Sequence, residues 1–175
     1  AEDHDALLVS DETYDHFDLA GEFASALAVD SPSRVVTNSF SKSLAITGFR
    51  VGYAIFPDEH VDAAKTRHML VNVAGSRPAQ HAVLRALRET DPDYYARNRD
   101  RLRERLGRFT DALESIGAAY LQPDGGFYVM VRFEGFPGTM ANAERLIDEA
   151  GVAAMPGETF GEEMPEWFRF ALCTP

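Results

Sequence analysis

The 175-residue chain has fifteen arginines but only two lysines, Lys42 and Lys65, and one of the two stands in a setting suited to chemistry. Lys42 lies among Ser39, Ser41 and Ser43, with Arg50 a short distance downstream. A lysine that can lose its proton attacks a carbonyl and forms a Schiff base. The neighbouring hydroxyls and the guanidinium fork of Arg50 suit a phosphate. Asp11 adds a carboxylate, and a carboxylate paired with a protonated ring nitrogen holds that proton in place. A lysine nucleophile, an acidic partner for a pyridinium and an anion clamp are together what pyridoxal phosphate requires.

These residues need elements to carry them to one place. Ala6–Val9 (ALLV) and Arg34–Thr37 (RVVT) are short apolar runs that open at once into polar residues, the pattern of buried strands ending in loops. The stretch between them is long enough for a crossover, so a parallel pair is expected. In an open parallel sheet ligands bind beyond the carboxyl ends of the strands, which brings Asp11 and Lys42 to the same edge. A third run, Val51–Phe56, stops at Pro57. Helices follow over Pro57 to about Val73, with Asp58 as cap, and over Arg77–Glu89, behind Ser76 with Pro78 in the first turn.

The clearest helix spans Pro92–Ile116, capped by Asp91 and ended by Gly117. Its positions Leu102, Leu106, Phe109, Leu113 and Ile116 form one buried stripe. Beyond it come short strands around one helix: Ala118–Leu121, Phe127–Phe133, a helix over Thr139–Ala150, then Val152–Met155 and Trp167–Cys173. The organisation is therefore α/β, with a boundary inside the long helix near residue 95. Arg169 lies within an apolar strand, where an unpaired charge is costly, so it needs an anion, either a ligand or an internal carboxylate.

The segment Ser39–Tyr53 (SFSKSLAITGFRVGY) resembles the lysine signature of the class I/II aminotransferases, fold-type I pyridoxal-phosphate enzymes, and is most similar to their bacterial and archaeal aspartate aminotransferase branch. The bare pattern S-x-x-K-x7-R-x-G arises by chance with a probability on the order of 10⁻⁵ per starting point. Asp11-Glu12-Thr13-Tyr14 resembles the family's D-x-x-Y. Gly125-Gly126-Phe127-Tyr128 resembles its small-domain strand start. Pro156–Gly161 followed by Arg169-Phe170-Ala171 resembles the stretch that holds the substrate carboxylate. The likeness covers essentially the whole chain.

The resemblance implies a role for each matched position. Lys42 would carry the cofactor and shuttle the α-proton, and Asp11 would keep the ring nitrogen protonated. Tyr14 would hydrogen-bond the phenolic oxygen, while Ser39, Ser41 and Arg50 hold the phosphate. Arg169 would orient the substrate α-carboxylate. The implied fold is a partial large-domain sheet, residues 1–95 of the pyridoxal-phosphate domain, followed by a truncated small α+β domain, residues 96–175. The implied activity moves an amino group from an α-amino acid to a 2-oxo acid. Two alternatives remain open, a C–S β-lyase on the same scaffold and an aminotransferase-like sensing domain of a transcription regulator.

Composition narrows the classes further. Seventeen basic residues against twenty-eight acidic ones give a net charge of −11, against the basic face a nucleic-acid binder shows. The arginine run Arg97, Arg99, Arg101, Arg103, Arg105, Arg108 is interleaved with Asp100, Glu104 and Asp111 and reads as a solvated helix face. No apolar run is long enough for a membrane span, and the five histidines show no metal-ligand spacing. With no signal-peptide pattern and a lone Cys173, a cytoplasmic protein is expected. The low lysine content suits either a halophile or a GC-rich genome.

Family members run to about twice this length or more, so the chain is expected to be the C-terminal part of an enzyme, inactive alone and homodimeric when intact. Its three large-domain strands should leave a sheet edge and an apolar face uncovered.

Overall fold

The computed structural model describes residues 1–173, which fall into two compact units divided between Tyr95 and Ala96. The first is built on a three-stranded sheet of order β1 (Leu8–Asp11), β2 (Arg34–Ser39) and β3 (Gly52–Ile55). β1 and β2 are parallel, with Asp11 opposite Thr37, as their intervening length requires. β3 runs antiparallel to β2, with Gly52 opposite Ser39, so the sheet is mixed rather than wholly parallel. Gly52 is needed there, because a Cβ would stand 2.7 Å from the Asn38 carbonyl oxygen.

The connection from β1 to β2 is pinned by one buried carboxylate. Glu12 accepts hydrogen bonds from the Ser25 hydroxyl at 2.7 Å, the Ala26 amide at 2.8 Å and the Ser10 hydroxyl at 3.2 Å. Only Val35 and Val36 of the three strands are buried. β1 and β3 leave Leu8, Val9, Tyr53 and Ile55 exposed, which is the uncovered sheet expected from the sequence. Helix α1 (Phe40–Ser43) follows β2, and α2 (Asp58–Asn72) and α3 (Arg77–Glu89) complete the unit. Asp58 does not cap α2: Pro57 occupies that position, and no side-chain cap bond forms. Ser76 does cap α3, accepting from the Ala79 amide. No residue of α2 is buried, and Leu70, Val71 and Val73 at its end stand in solvent.

Helix α4 (Tyr94–Ser115) begins in the last two residues of the first unit and continues into the second; it starts two residues later than the proline suggested, because Asp91 closes a turn on the Asp93 amide instead. Leu102, Leu106, Thr110 and Leu113 are its buried positions. Ile116 falls outside the stripe: the helix ends at Ser115, and Ile116 is 67% exposed.

A four-stranded sheet follows, of order β4 (Ala119–Leu121), β5 (Tyr128–Arg132), β7 (Trp167–Ala171) and β6 (Met155–Pro156), antiparallel at every pairing. β6 begins only at Met155, so Val152–Ala154 form a connection and not the strand expected there. Helix α5 (Met140–Ala150) is capped by the Thr139 hydroxyl and ends at Gly151 in the left-handed conformation. β5 and β7 alternate between half-buried and buried positions, and each ends on an exposed residue. Val129, Val131, Phe168 and Phe170 fill one face, and Phe109 of α4 meets Phe170 at 5.4 Å between ring centroids. The opposite face carries Tyr128, Met130 and Arg169. Two glycines let loops close on this sheet: a Cβ on Gly138 or Gly157 would stand within 2.4 Å of the Trp167 carbonyl oxygen.

Candidate functional site

Each unit contributes one group of chemically competent residues. In the first, β2 leads directly into α1, and this junction positions Lys42. Ser39 ends the strand in extended conformation, and its hydroxyl accepts from the Ser41 amide at 3.1 Å, the capping bond that turns the chain into α1. The Ser39 hydroxyl also donates to the Ser41 hydroxyl at 2.9 Å, so the two oxygens sit side by side. Lys42 is half-buried, between the buried Ser41 and Ser43.

The chain after Lys42 is held in strained backbone. Only four non-glycine residues of the described chain have positive φ, and two of them, Ala45 (φ 54°) and Arg50 (φ 53°), bracket this segment. A left-handed non-glycine residue costs about 1–2 kcal/mol, and such residues gather at functional sites. Thr47 helps to fix the loop, its hydroxyl donating to the Ser41 carbonyl at 3.1 Å. Arg50 donates from Nη1 to the Thr47 carbonyl at 2.9 Å, and its exposed guanidinium keeps further donors open.

Asp11 ends β1, one strand over and at the same edge of the sheet, with its register partner Thr37 five residues before Lys42. Its Oδ1 accepts from the amide of Thr13 at 3.1 Å and from its hydroxyl at 2.6 Å. This local turn takes one carboxylate oxygen and leaves Oδ2 free for another partner. Tyr14 is 37% exposed and lies 6.1 Å from Phe17 between centroids.

A further pair was not foreseen. Asn38, on β2, donates from Nδ2 to Asp15 Oδ2 at 2.9 Å and accepts from the Ser39 amide at 2.7 Å. It thereby ties the loop bearing Asp11 and Tyr14 to the strand that leads to Lys42. Tyr53 lies opposite Asn38, and its phenol is pushed above the ordinary 10.0, by burial first and then by Asp15 and Glu12. The signal for Asn38 was its place directly before the serine-lysine segment.

In the second unit Arg169 sits in the middle of β7, opposite Met130 on one side and Met155 on the other. Of the two anions that the sequence allowed, the internal one does not materialise: among the described residues the Arg169 side chain has no carboxylate partner and no hydrogen bond. Aromatic rings meet it instead. Its Cζ lies 4.2 Å from the Tyr128 ring centroid and 4.7 Å from that of Phe160. Tyr128 and Phe160 both fall inside the sequence motifs, which offered no role for either ring.

The arginine run on α4 behaves as a solvated face, with Arg103 pairing to Asp100 at 3.0 Å and Arg108 to Glu104 at 2.6 Å. Arg105 differs, donating to the Leu172 carbonyl at 3.0 Å. Among the described residues no helix is long and apolar enough to cross a membrane.

Comparisons with known proteins show the family of the chain. The family model for aminotransferase class I and II matches residues 1–175. The aspartate/prephenate aminotransferase of Thermus thermophilus is 34% identical over 163 residues, covering 91% of this chain and 42% of that relative. The arginine–pyruvate transaminase of Pseudomonas aeruginosa is 36% identical over 179 residues, covering 97% of this chain and 44% of that relative. Among solved structures, the aspartate aminotransferase of Thermus thermophilus with maleate superposes with a TM-score of 0.87 at 32% identity, covering 100% of this chain and 46% of that one. The chain thus spans under half the length of the relatives it resembles.

Proposed function

Since the chain belongs to the aminotransferase class I and II family, we propose that it is the lysine-bearing part of a pyridoxal-phosphate-dependent aminotransferase, which moves an amino group from an α-amino acid to a 2-oxo acid. The observation that carries this reading is the β2–α1 junction. Strand, paired serine hydroxyls, lysine and a strained arginine loop follow one another there, within a segment matched by the family.

The residues present fit the cofactor by their chemistry. The hydroxyls of Ser39 and Ser41 and the open donors of Arg50 make an anion clamp beside a lysine amine. Asp11, with Oδ2 unused by its own turn, keeps a proton at the pyridine nitrogen. The Tyr14 hydroxyl is assigned to the cofactor's phenolic oxygen. When bound, pyridoxal phosphate supplies a carbonyl for the lysine and an electron sink for the pair released from the Cα–H bond. Lys42 Nζ takes the α-proton and returns it. Arg169 presents its donors to the substrate α-carboxylate and so fixes which bond at Cα is broken.

The relatives' names differ in substrate, aspartate and prephenate in one and arginine and pyruvate in another, so the proposal names the reaction and leaves the substrates' side chains open. The intact protein is assigned as a cytoplasmic homodimer, on the family resemblance. The test uses the full polypeptide that carries this chain, supplied with pyridoxal phosphate, a panel of amino acids and 2-oxoglutarate. Glutamate formed in step with loss of the amino acid supports transfer. Pyruvate and ammonia without glutamate would replace it with C–S elimination.

A further inference from the structure

Arg169 differs from two other arginines that contact rings. Arg132 lies over Trp167 alone, at 5.5 Å, and Arg145 over Phe136 alone, at 5.3 Å, while also pairing with Glu149 at 3.1 Å. Arg169 is closer to its rings than either, and it contacts two of them. β5 and β6 flank β7 on opposite sides, so the ring carried by β5 and the ring carried by the turn after β6 reach the guanidinium from different sides. Tyr128 does so by register: β5 and β7 pair Met130 with Arg169, so Tyr128 is its diagonal neighbour on the same face. Phe160 comes from the 3₁₀ turn Gly157–Phe160 that follows β6.

From this geometry we infer that Tyr128 and Phe160 are positioning residues, which hold the Arg169 guanidinium so that its in-plane N–H donors are the directions left open to a carboxylate. A guanidinium is hydrated weakly above and below its plane, and aromatic rings occupy those directions readily. Its five donors lie in the plane, in a fork that matches a carboxylate bidentately. Rings hold the group without using a donor. An internal carboxylate would hold it equally well but would consume the fork, and among the described residues none does so. The flanking Met130 and Met155 offer no competing charge.

The inference rests on the assignment of Arg169 to a carboxylate, and the test separates the two. Maleate serves as probe, because the aspartate aminotransferase of Thermus thermophilus was solved with it. Its affinity for the holoenzyme of the full polypeptide is measured by calorimetry for wild type, Tyr128→Leu, Phe160→Leu, Tyr128→Phe and Arg169→Leu. Leucine keeps apolar volume but removes the π face, and the half-buried Tyr128 and exposed Phe160 leave the buried core untouched.

Each leucine variant should weaken maleate by about 3- to 10-fold, the range expected from losing one cation–π contact. Tyr128→Phe should bind as wild type does, and Arg169→Leu should lose binding altogether. In turnover the leucine variants should raise KM for the amino acid more than they lower kcat, and the phenylalanine variant should restore it. Wild-type affinity in both leucine variants, with binding lost in Arg169→Leu, would overturn the clamp and keep the carboxylate reading. Undiminished affinity in Arg169→Leu would overturn both.

Discussion

The two units divide the labour unequally. The first carries Lys42, Asp11, Ser39, Ser41 and Arg50, yet its buried apolar side chains among the described residues are only Phe17, Val35, Val36 and Val83. The second contributes one candidate side chain, Arg169, set on a sheet whose other face is filled by Val129, Val131, Phe168 and Phe170. The candidate lysine therefore sits on the thinner scaffold and the candidate arginine on the thicker one. The polar contacts differ in kind as well. Short local hydrogen bonds and strained backbone shape the lysine segment, whereas register and ring packing place the arginine.

The strongest blow to this contrast is in the second core. Phe168 has no exposed surface, so Phe168→Ala should cost about 3–5 kcal/mol. Denaturant unfolding followed by near-ultraviolet circular dichroism should show the loss; a cost under about 1 kcal/mol would mean that the second unit is not the firmly packed one. Next in size is Gly157→Ala. Its added methyl would press on the carbonyl oxygens of Met164 and Trp167, and the strain should cost about 1–3 kcal/mol. A neutral result would show that the turn before Phe160 yields freely.

Far smaller effects are expected on the first unit's open face. Leu70 and Val71 are 75% and 80% exposed, so Leu70→Gln and Val71→Gln should each shift stability by no more than about 0.5 kcal/mol. A large loss at either would show that this end of α2 is covered in the protein as measured. The smallest concerns pH. Tyr120 donates to Glu114 at 2.7 Å, and that bond, with lesser help from burial and from the Glu114 charge, raises the phenol above 10.0. A folded-state pKa raised above the unfolded one contributes stability that is complete below the unfolded value and is lost as pH climbs through the folded value. The window therefore opens above pH 10. Alkaline titration of tyrosine absorbance should show Glu114→Gln bringing one late-titrating phenol down toward 10.0.

Much of the lysine half was legible because its signals are local. A strand period, a serine able to cap and a fixed spacing to Arg50 all lie within one short segment. The parallel pairing of β1 and β2 followed from the length between them. The direction of β3 did not, since an antiparallel return of that length needs only the turn that α1 supplies. Nor could the left-handed backbone at Ala45 and Arg50 be read, because neither is the glycine that normally marks it. Helix ends shifted where a carboxylate chose a turn, as at Asp91, or where the ladder stopped a residue short, as at Ile116. Arg169 was found as a charge in need of a partner. Which groups surround it depends on strand register across sequence separations that no local pattern encodes.

The account rests on Lys42 being the residue that takes the cofactor, and with only two lysines the chain allows a direct reading. The full polypeptide is mixed with one equivalent of pyridoxal phosphate, reduced with borohydride, digested and mapped by mass spectrometry. The phosphopyridoxyl group should be found on the peptide containing Lys42, not on that containing Lys65, and Lys42→Ala should abolish it. Labelling of Lys65, or an unmodified Lys42 peptide, would contradict the account.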